Sequence, residues 1–141
     1  MLRLYETKSI LLILLVCTFF FNSGCSEKEI SAEKVQDLDF TVVEQADIPV
    51  KLADEIATKK EGGFKISYKD GEFMYIAIGY GKKDTGGYNV VIKELYLTQN
   101  AIYINSSLIG PNENDMVLKA NTYPYVVVKI ENRDLNVVFN T

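Results

Sequence analysis

The residues that could carry out chemistry are few, because the chain of 141 residues contains no histidine. This absence excludes Ser-His-Asp triads, Cys-His dyads and zinc sites with histidine ligands. Ser106 and Ser107, taken with Lys119, are the residue types of a Ser-Lys pair, but their spacing does not support one. Glu113 and Asp115 offer oxygen ligands for Ca²⁺ without the regular spacing of a calcium loop. We therefore expect no catalytic residue, no metal site and no cofactor, and we expect that the protein is not an enzyme.

A glycine-rich segment, GYGKKDTGGY at residues 79–88, is the most prominent local motif. Glycines and a lysine pair can cradle a phosphate, but the cradle needs a helix directly after the loop, and here a strand pattern follows. The segment is typical of a tight connection between two strands. It is also typical of a loop that contacts a partner protein, since loops on a rigid sheet often carry recognition.

A second motif, Tyr123-Pro124-Tyr125, precedes the last long strand pattern. It is typical either of a rigid start of a strand or of part of a surface edge that recognises a partner protein. Tyrosine suits half-buried sheet surfaces and is also enriched at protein interfaces, so the nine tyrosines do not separate these alternatives. The candidate protein-binding residues are Lys82, Lys83, Asp84, Thr85, Gly86, Gly87, Tyr88, Tyr123, Pro124 and Tyr125.

Hydrophobic periodicity predicts the elements that position these motifs. Alternating apolar residues predict a first strand over 38–43, and Ile48, Leu52 and Ile56 recur at the spacing of an amphipathic helix. Asp47 is expected to cap this helix. From residue 64 onward the period changes to two, with hairpin turns at Asp70-Gly71 and Gln99-Asn100. The pattern predicts an α+β fold, mostly antiparallel β-sheet of six to seven strands with one amphipathic helix packed on it.

The first 24 residues have the layout of a secretory signal. Residues 10–21 are apolar and uncharged, follow Arg3 and Lys8, and fall short of the roughly 20 residues that span a bilayer. Cys25 follows Ser23-Gly24, an arrangement that resembles a bacterial lipobox, although Asn22 stands where leucine is usual. Lipidation of Cys25 is the preferred interpretation; an ordinary signal peptide or an uncleaved anchor remain alternatives.

The expected organisation is a lipoprotein signal peptide over 1–24, a charged tether over 25–37 and a folded domain over 38–141. The protein would then be extracytoplasmic and anchored to the cell membrane by the lipid on Cys25. The formal net charge of −4 argues against a nucleic-acid partner, since a phosphate-binding face needs clustered lysine and arginine.

The order of Thr85-Gly86-Gly87-Tyr88, a β-rich run, and then Thr122-Tyr123-Pro124-Tyr125 resembles the C-terminal domain of the PrcB protease-complex-subunit family. The resemblance covers residues 64–130 and extends to the preceding predicted helix, with Asp84 where relatives often carry proline. It implies a non-catalytic accessory or protein-binding domain, with a secreted or surface protease as partner. The loop over 83–88 is also similar to that of chagasin-like inhibitors of cysteine proteases, although the chain lacks tryptophan. That similarity implies an alternative function as a protease inhibitor that presents Thr85-Gly86-Gly87-Tyr88.

Overall fold

The computed structural model describes residues 33–140. The predictions for the signal peptide and for Cys25 lie outside these residues. In chain order the described elements are β1 (Gln36–Asp37), β2 (Thr41–Val42), a 3₁₀ turn (Gln45–Asp47), α1 (Val50–Lys59), β3 (Phe64–Asp70), β4 (Phe73–Gly79), β5 (Asn89–Leu97), β6 (Ala101–Ile109), β7 (Tyr125–Glu131) and β8 (Asn136–Asn140).

The strands form two four-stranded sheets, the first in the order β1-β5-β6-β8 and the second in the order β2-β7-β4-β3. Strands β6 and β8 are parallel, and the other pairs among the described strands are antiparallel. A mostly β fold with one α-helix is therefore confirmed for the described residues. The expected count of six to seven strands is wrong, because there are eight in this part of the chain.

The count differs because the predicted first strand does not form as one strand. Strand β1 pairs with β5 in the first sheet, and β2 pairs with β7 in the second. Between them Leu38 is buried among the core residues, whereas Phe40 and Val42 are exposed. The chain thus crosses from one sheet to the other over a few residues, and β1 uses two residues that the sequence assigned to the tether.

Two apolar clusters hold the two sheets and the helix together as three layers. The larger cluster is formed by residues of both sheets together with Leu38, namely Leu38, Met74, Ile76, Ile78, Leu95, Ile102, Ile104, Val128 and Ile130. The smaller joins α1 to the other face of the second sheet, and contains Ile48, Leu52, Ile56, Phe64, Ile66, Ala77 and Val127. The amphipathic helix therefore packs on the sheet as predicted, because its apolar stripe recurs every three to four residues.

Two local predictions need correction. Pro49 precedes the first residue of α1, with no side-chain capping bond there, and Asp47 instead ends the 3₁₀ turn. In the β3–β4 hairpin, Asp70 pairs with Phe73, so the central turn residues are Gly71 and Glu72. Gly71 has φ +60°, as expected for the first central position of a type II′ turn.

Candidate protein-binding site

Three loops lie together at one end of the two sheets. Strands β4 and β6 end there and β5 and β7 begin there, because each of these neighbouring pairs is antiparallel. We call this region the loop end and define it as residues 60–63, 80–88 and 110–124. It contains nearly all the candidate residues predicted from the sequence.

The two predicted recognition segments are joined through their backbones. Lys83 and Thr122 exchange two N–H···O bonds of 2.8 Å each, and the Tyr80 N–H donates to the Pro124 carbonyl at 3.0 Å. The Thr122 hydroxyl donates to the Thr85 carbonyl at 2.6 Å. The structure thus brings residues 82–88 and 123–125 together, while their role in binding a protein stays a prediction.

The glycine-rich segment is held closely against residues 110–118. The Gly86 N–H donates to the Leu118 carbonyl at 2.8 Å. Gly87 has φ +85°, and an added Cβ would lie 2.9 Å from Pro111 Cβ and from Val117 Cγ1. Both the dihedral angle and the close packing require glycine at this position. The segment is therefore a tight, fixed connection between β4 and β5.

Tyr123 contacts the two residues that directly follow α1, Lys60 and Glu61. Its hydroxyl donates to Glu61 Oε1 at 2.8 Å, and Lys60 Nζ lies 4.7 Å from the centre of its ring. The hydrogen bond to the Glu61 carboxylate raises the pKa of Tyr123 above its usual value, since the phenolate would lose that bond and face a negative charge. The phenol of Tyr123 is therefore neutral, and its contacts with Glu61 and Lys60 fix its position at the loop end.

A groove of about 270 Å³ separates α1 from the two tyrosines of the second motif. Its lining residues are Gln45, Ile48, Ala53, Ile56, Ala57, Lys60, Tyr123 and Tyr125. Small-molecule sites usually have ~300–1,000 Å³ with several convergent polar groups. The small size and largely apolar lining fit a side chain of a protein partner better than a cofactor.

Exposed apolar side chains at or beside the loop end were missed by the sequence analysis. Met116, Leu118 and Ile109 are 103%, 71% and 53% exposed. Neighbouring exposed apolar side chains mark interaction surfaces more often than isolated ones do. The available signal was the apolar run Met116-Val117-Leu118 within the mostly polar stretch PNENDMVLKAN.

Two of the side chains considered for chemistry, Ser106 and Asp115, have structural roles. Ser106 is buried and its hydroxyl lies 2.9 Å from the Tyr80 hydroxyl, so it is not presented to a substrate. Asp115 accepts hydrogen bonds from the backbone N–H and the side-chain amide of Asn112, which closes a local turn. Within residues 33–140, no group of three or more Asp, Glu, Cys or His side chains is placed to hold a metal ion.

In the described part of the chain, no helix has both the length and the apolar character needed to cross a bilayer.

Comparison with known proteins gives one match. A family model described as PrcB C-terminal matches residues 74–131, which run from β4 to the end of β7. The match contains both motifs that carried the predicted resemblance, and that resemblance is confirmed. The family is one of non-catalytic accessory domains associated with a protease complex. No curated protein and no solved structure matches the chain.

Proposed function

We propose, from the match of residues 74–131 to the PrcB C-terminal family, that this chain is a lipid-anchored, extracytoplasmic accessory domain that binds a protease through its loop end. The family match is the observation that carries this proposal, and the protein itself supplies no catalytic step. Its task is to hold a secreted or surface protease at the membrane.

The geometry of the loop end supports protein binding. The backbone of residues 82–86 is fixed by hydrogen bonds to Glu61, Thr122 and Leu118, whereas Met116 and Leu118 expose their side chains. A preorganised backbone loses little conformational entropy on association. Exposed apolar side chains next to polar ones supply the apolar centre and polar rim that interfaces usually have.

The sequence pattern at Cys25 supports the proposed anchor, and the place where the chain enters the domain is compatible with it. The Val35 N–H donates to the Leu97 carbonyl, so the chain enters the domain beside the last residue of β5. Strand β5 has nine residues and begins at the loop end, so the entry point lies about 30 Å away at ~3.3 Å per residue. The segment that follows Cys25 therefore enters the domain at the end opposite to the proposed binding surface.

The alternative of a protease inhibitor is less well supported. An inhibitory loop has to project into an enzyme cleft, but Thr85 and Gly86 are half-buried and bonded to residues 118 and 122. Tyr88 is also half-buried, with its ring close to Gly110. These contacts favour a flat docking surface over an inserted loop.

Capture of partners from native cells tests the proposal. The full chain, carrying an affinity tag, is crosslinked in the cells that produce it and purified. We expect wild type to retain a protease, and Leu118→Glu to reduce its recovery by about tenfold or more, the loss typical of an interface hot spot. Leu118 is largely exposed, so this change leaves the core intact.

The matched control is Val50→Glu, which places the same charge on an exposed valine at the start of α1. We expect this variant to recover the protease as wild type does. Recovery of no protease by wild type, or equal recovery by Leu118→Glu, would show that the proposed function or its location is wrong.

A further inference from the structure

In the part of the chain that the structure describes, one half of β5 has no strand beside it on its outer edge. Strand β1 pairs with β5 only at Leu97 and Tyr96, and the Leu38 N–H adds a bond to the Leu95 carbonyl. Beyond this point the chain leaves β5 and crosses to the second sheet as β2. Within residues 33–140, the edge of β5 from residue 89 to residue 92 therefore has no backbone partner.

A β-bulge marks where this open half begins. The register between β5 and β6 shifts between Ile92 and Glu94, which leaves Lys93 as the extra residue. The carbonyls of Leu95 and Leu97 face β1. Along a strand, every second residue directs its N–H and C=O groups to the same edge, and the extra residue at the bulge shifts this alternation by one position. The N–H and C=O groups of Val90 and Ile92 therefore point outward. The bulge also explains why β1 stops, because straight pairing cannot continue through it.

The open edge combines unpaired backbone groups with apolar side chains. Val90 and Ile92 are half-buried, and Ile92 packs against the core between the sheets. Val126 of β7 is likewise half-buried against that core. A strand added here would form backbone hydrogen bonds and would cover these side chains with its own alternate residues.

We propose that the partner protein docks an extended segment of four to five residues onto β5 at Val90 and Ile92, antiparallel to β5 and in line with β1. This rests on the proposed function and names the kind of partner surface involved: an exposed, extended stretch with apolar residues at alternate positions and no proline at the paired positions. The pairing of β1 with the other half of β5 establishes that this edge accepts a strand. The open half adjoins the loop end, so both surfaces are available to one partner.

The edge of β3 is unsuited to the same role. Lys65 and Lys69 pair with Ile78 and Met74, whose side chains lie in the core between the sheets. The two lysines are therefore on the inward-facing side at an exposed edge, an arrangement that opposes strand addition. Lys69 is further held by Asp134 at 2.7 Å.

A pair of proline variants of the full chain, purified in detergent, tests the inference. Val90→Pro removes an outward N–H that bonds to no described residue, a change that edge strands tolerate. Ser67→Pro is the matched control: Asp70 and Phe73 close the β3–β4 hairpin as a bonded pair, so the Ser67 N–H also points outward. We expect Val90→Pro to reduce recovery of the crosslinked protease about tenfold and Ser67→Pro to leave it unchanged.

Hydrogen exchange on the wild-type complex gives a second measurement that does not depend on a variant's folding. We expect the amides of Val90 and Ile92 to exchange rapidly in the free chain and to become protected in the complex. A complex that forms without protecting these amides, or with protection at β3 or β8 instead, would overturn the inference and leave the proposed function standing.

If no protease is captured, the proposed function fails, and a library of random seven-residue peptides tests the edge independently. We expect selected peptides to carry alternating apolar residues and to bind Val90→Pro about tenfold more weakly than wild type. Equal binding to both, or no selected peptide, would overturn the inference.

Discussion

Gly87 is the residue at the loop end for which substitution has the clearest physical consequence. A non-glycine residue at its φ of +85° costs about 1–2 kcal/mol, and overpacking against Pro111 and Val117 adds about 1–3 kcal/mol. We expect Gly87→Ala to lower the free energy of unfolding by about 2–5 kcal/mol, measured by urea denaturation.

Gly62 is the matched control, because an added Cβ there has no heavy atom within 4 Å and φ is not positive. We expect Gly62→Ala to change the free energy of unfolding by no more than about 0.5 kcal/mol. Equal effects at the two positions would contradict the packing described for Gly87. Large substitutions at Gly87 would therefore perturb the fold, and binding tests are better made at exposed side chains such as Leu118.

At the scale of elements, α1 is held to the second sheet by very few side chains. Leu52 has no exposed surface, and with Ile56 it contacts the cluster built on Phe64, Ile66 and Val127. We expect Leu52→Ala to lower the free energy of unfolding by about 2–5 kcal/mol, because it removes apolar contacts and leaves a cavity.

Val50→Ala, two residues earlier and 77% exposed, should have an effect within about 0.5 kcal/mol. Both variants can be measured in the same denaturant series. If Leu52→Ala were as mild as Val50→Ala, α1 would not be a packed layer, and the groove beside Tyr123 would have no fixed wall.

The elements that the sequence predicts well are those defined by local signals. The α1 stripe and the β3–β4 and β5–β6 hairpins follow from periodicity and turn residues that lie within a few positions of one another. The division of residues 36–42 between two sheets depends instead on where Leu38 finds the core. The parallel pairing of β8 with β6 is likewise a tertiary choice, which periodicity along one strand does not encode.

The candidate site shows the same limit. The two loop motifs were predicted, and the structure places them side by side through the Lys83–Thr122 bridge. The helical wall of the groove was not predicted, because Ala57 and Lys60 look like ordinary helix residues until the helix is docked. The open edge of β5 was also not predictable, since it results from a bulge and from the early departure of β1.

At the scale of the whole molecule, the chain enters the first sheet at the end opposite to the loop end. The chain enters beside Leu97, and the loop end lies about 30 Å away along β5. The proposed lipid on Cys25 is connected to the domain through the residues that precede Val35. The loop end is therefore expected to face away from the membrane for most of the time.

This orientation can be measured with a fluorophore on single introduced thiols in the processed protein, reconstituted in vesicles that contain a lipid-attached quencher. Gln99→Cys places the fluorophore at the exposed β5–β6 turn, and Glu113→Cys places it at the exposed loop end. Because the lipid on Cys25 would occupy that sulfur, each introduced thiol should label alone. We expect clearly stronger quenching at position 99 than at position 113. Equally strong quenching at position 113 would assign Met116 and Leu118 to contact with lipid instead of protein, and absence of vesicle binding would show that Cys25 is not an anchor.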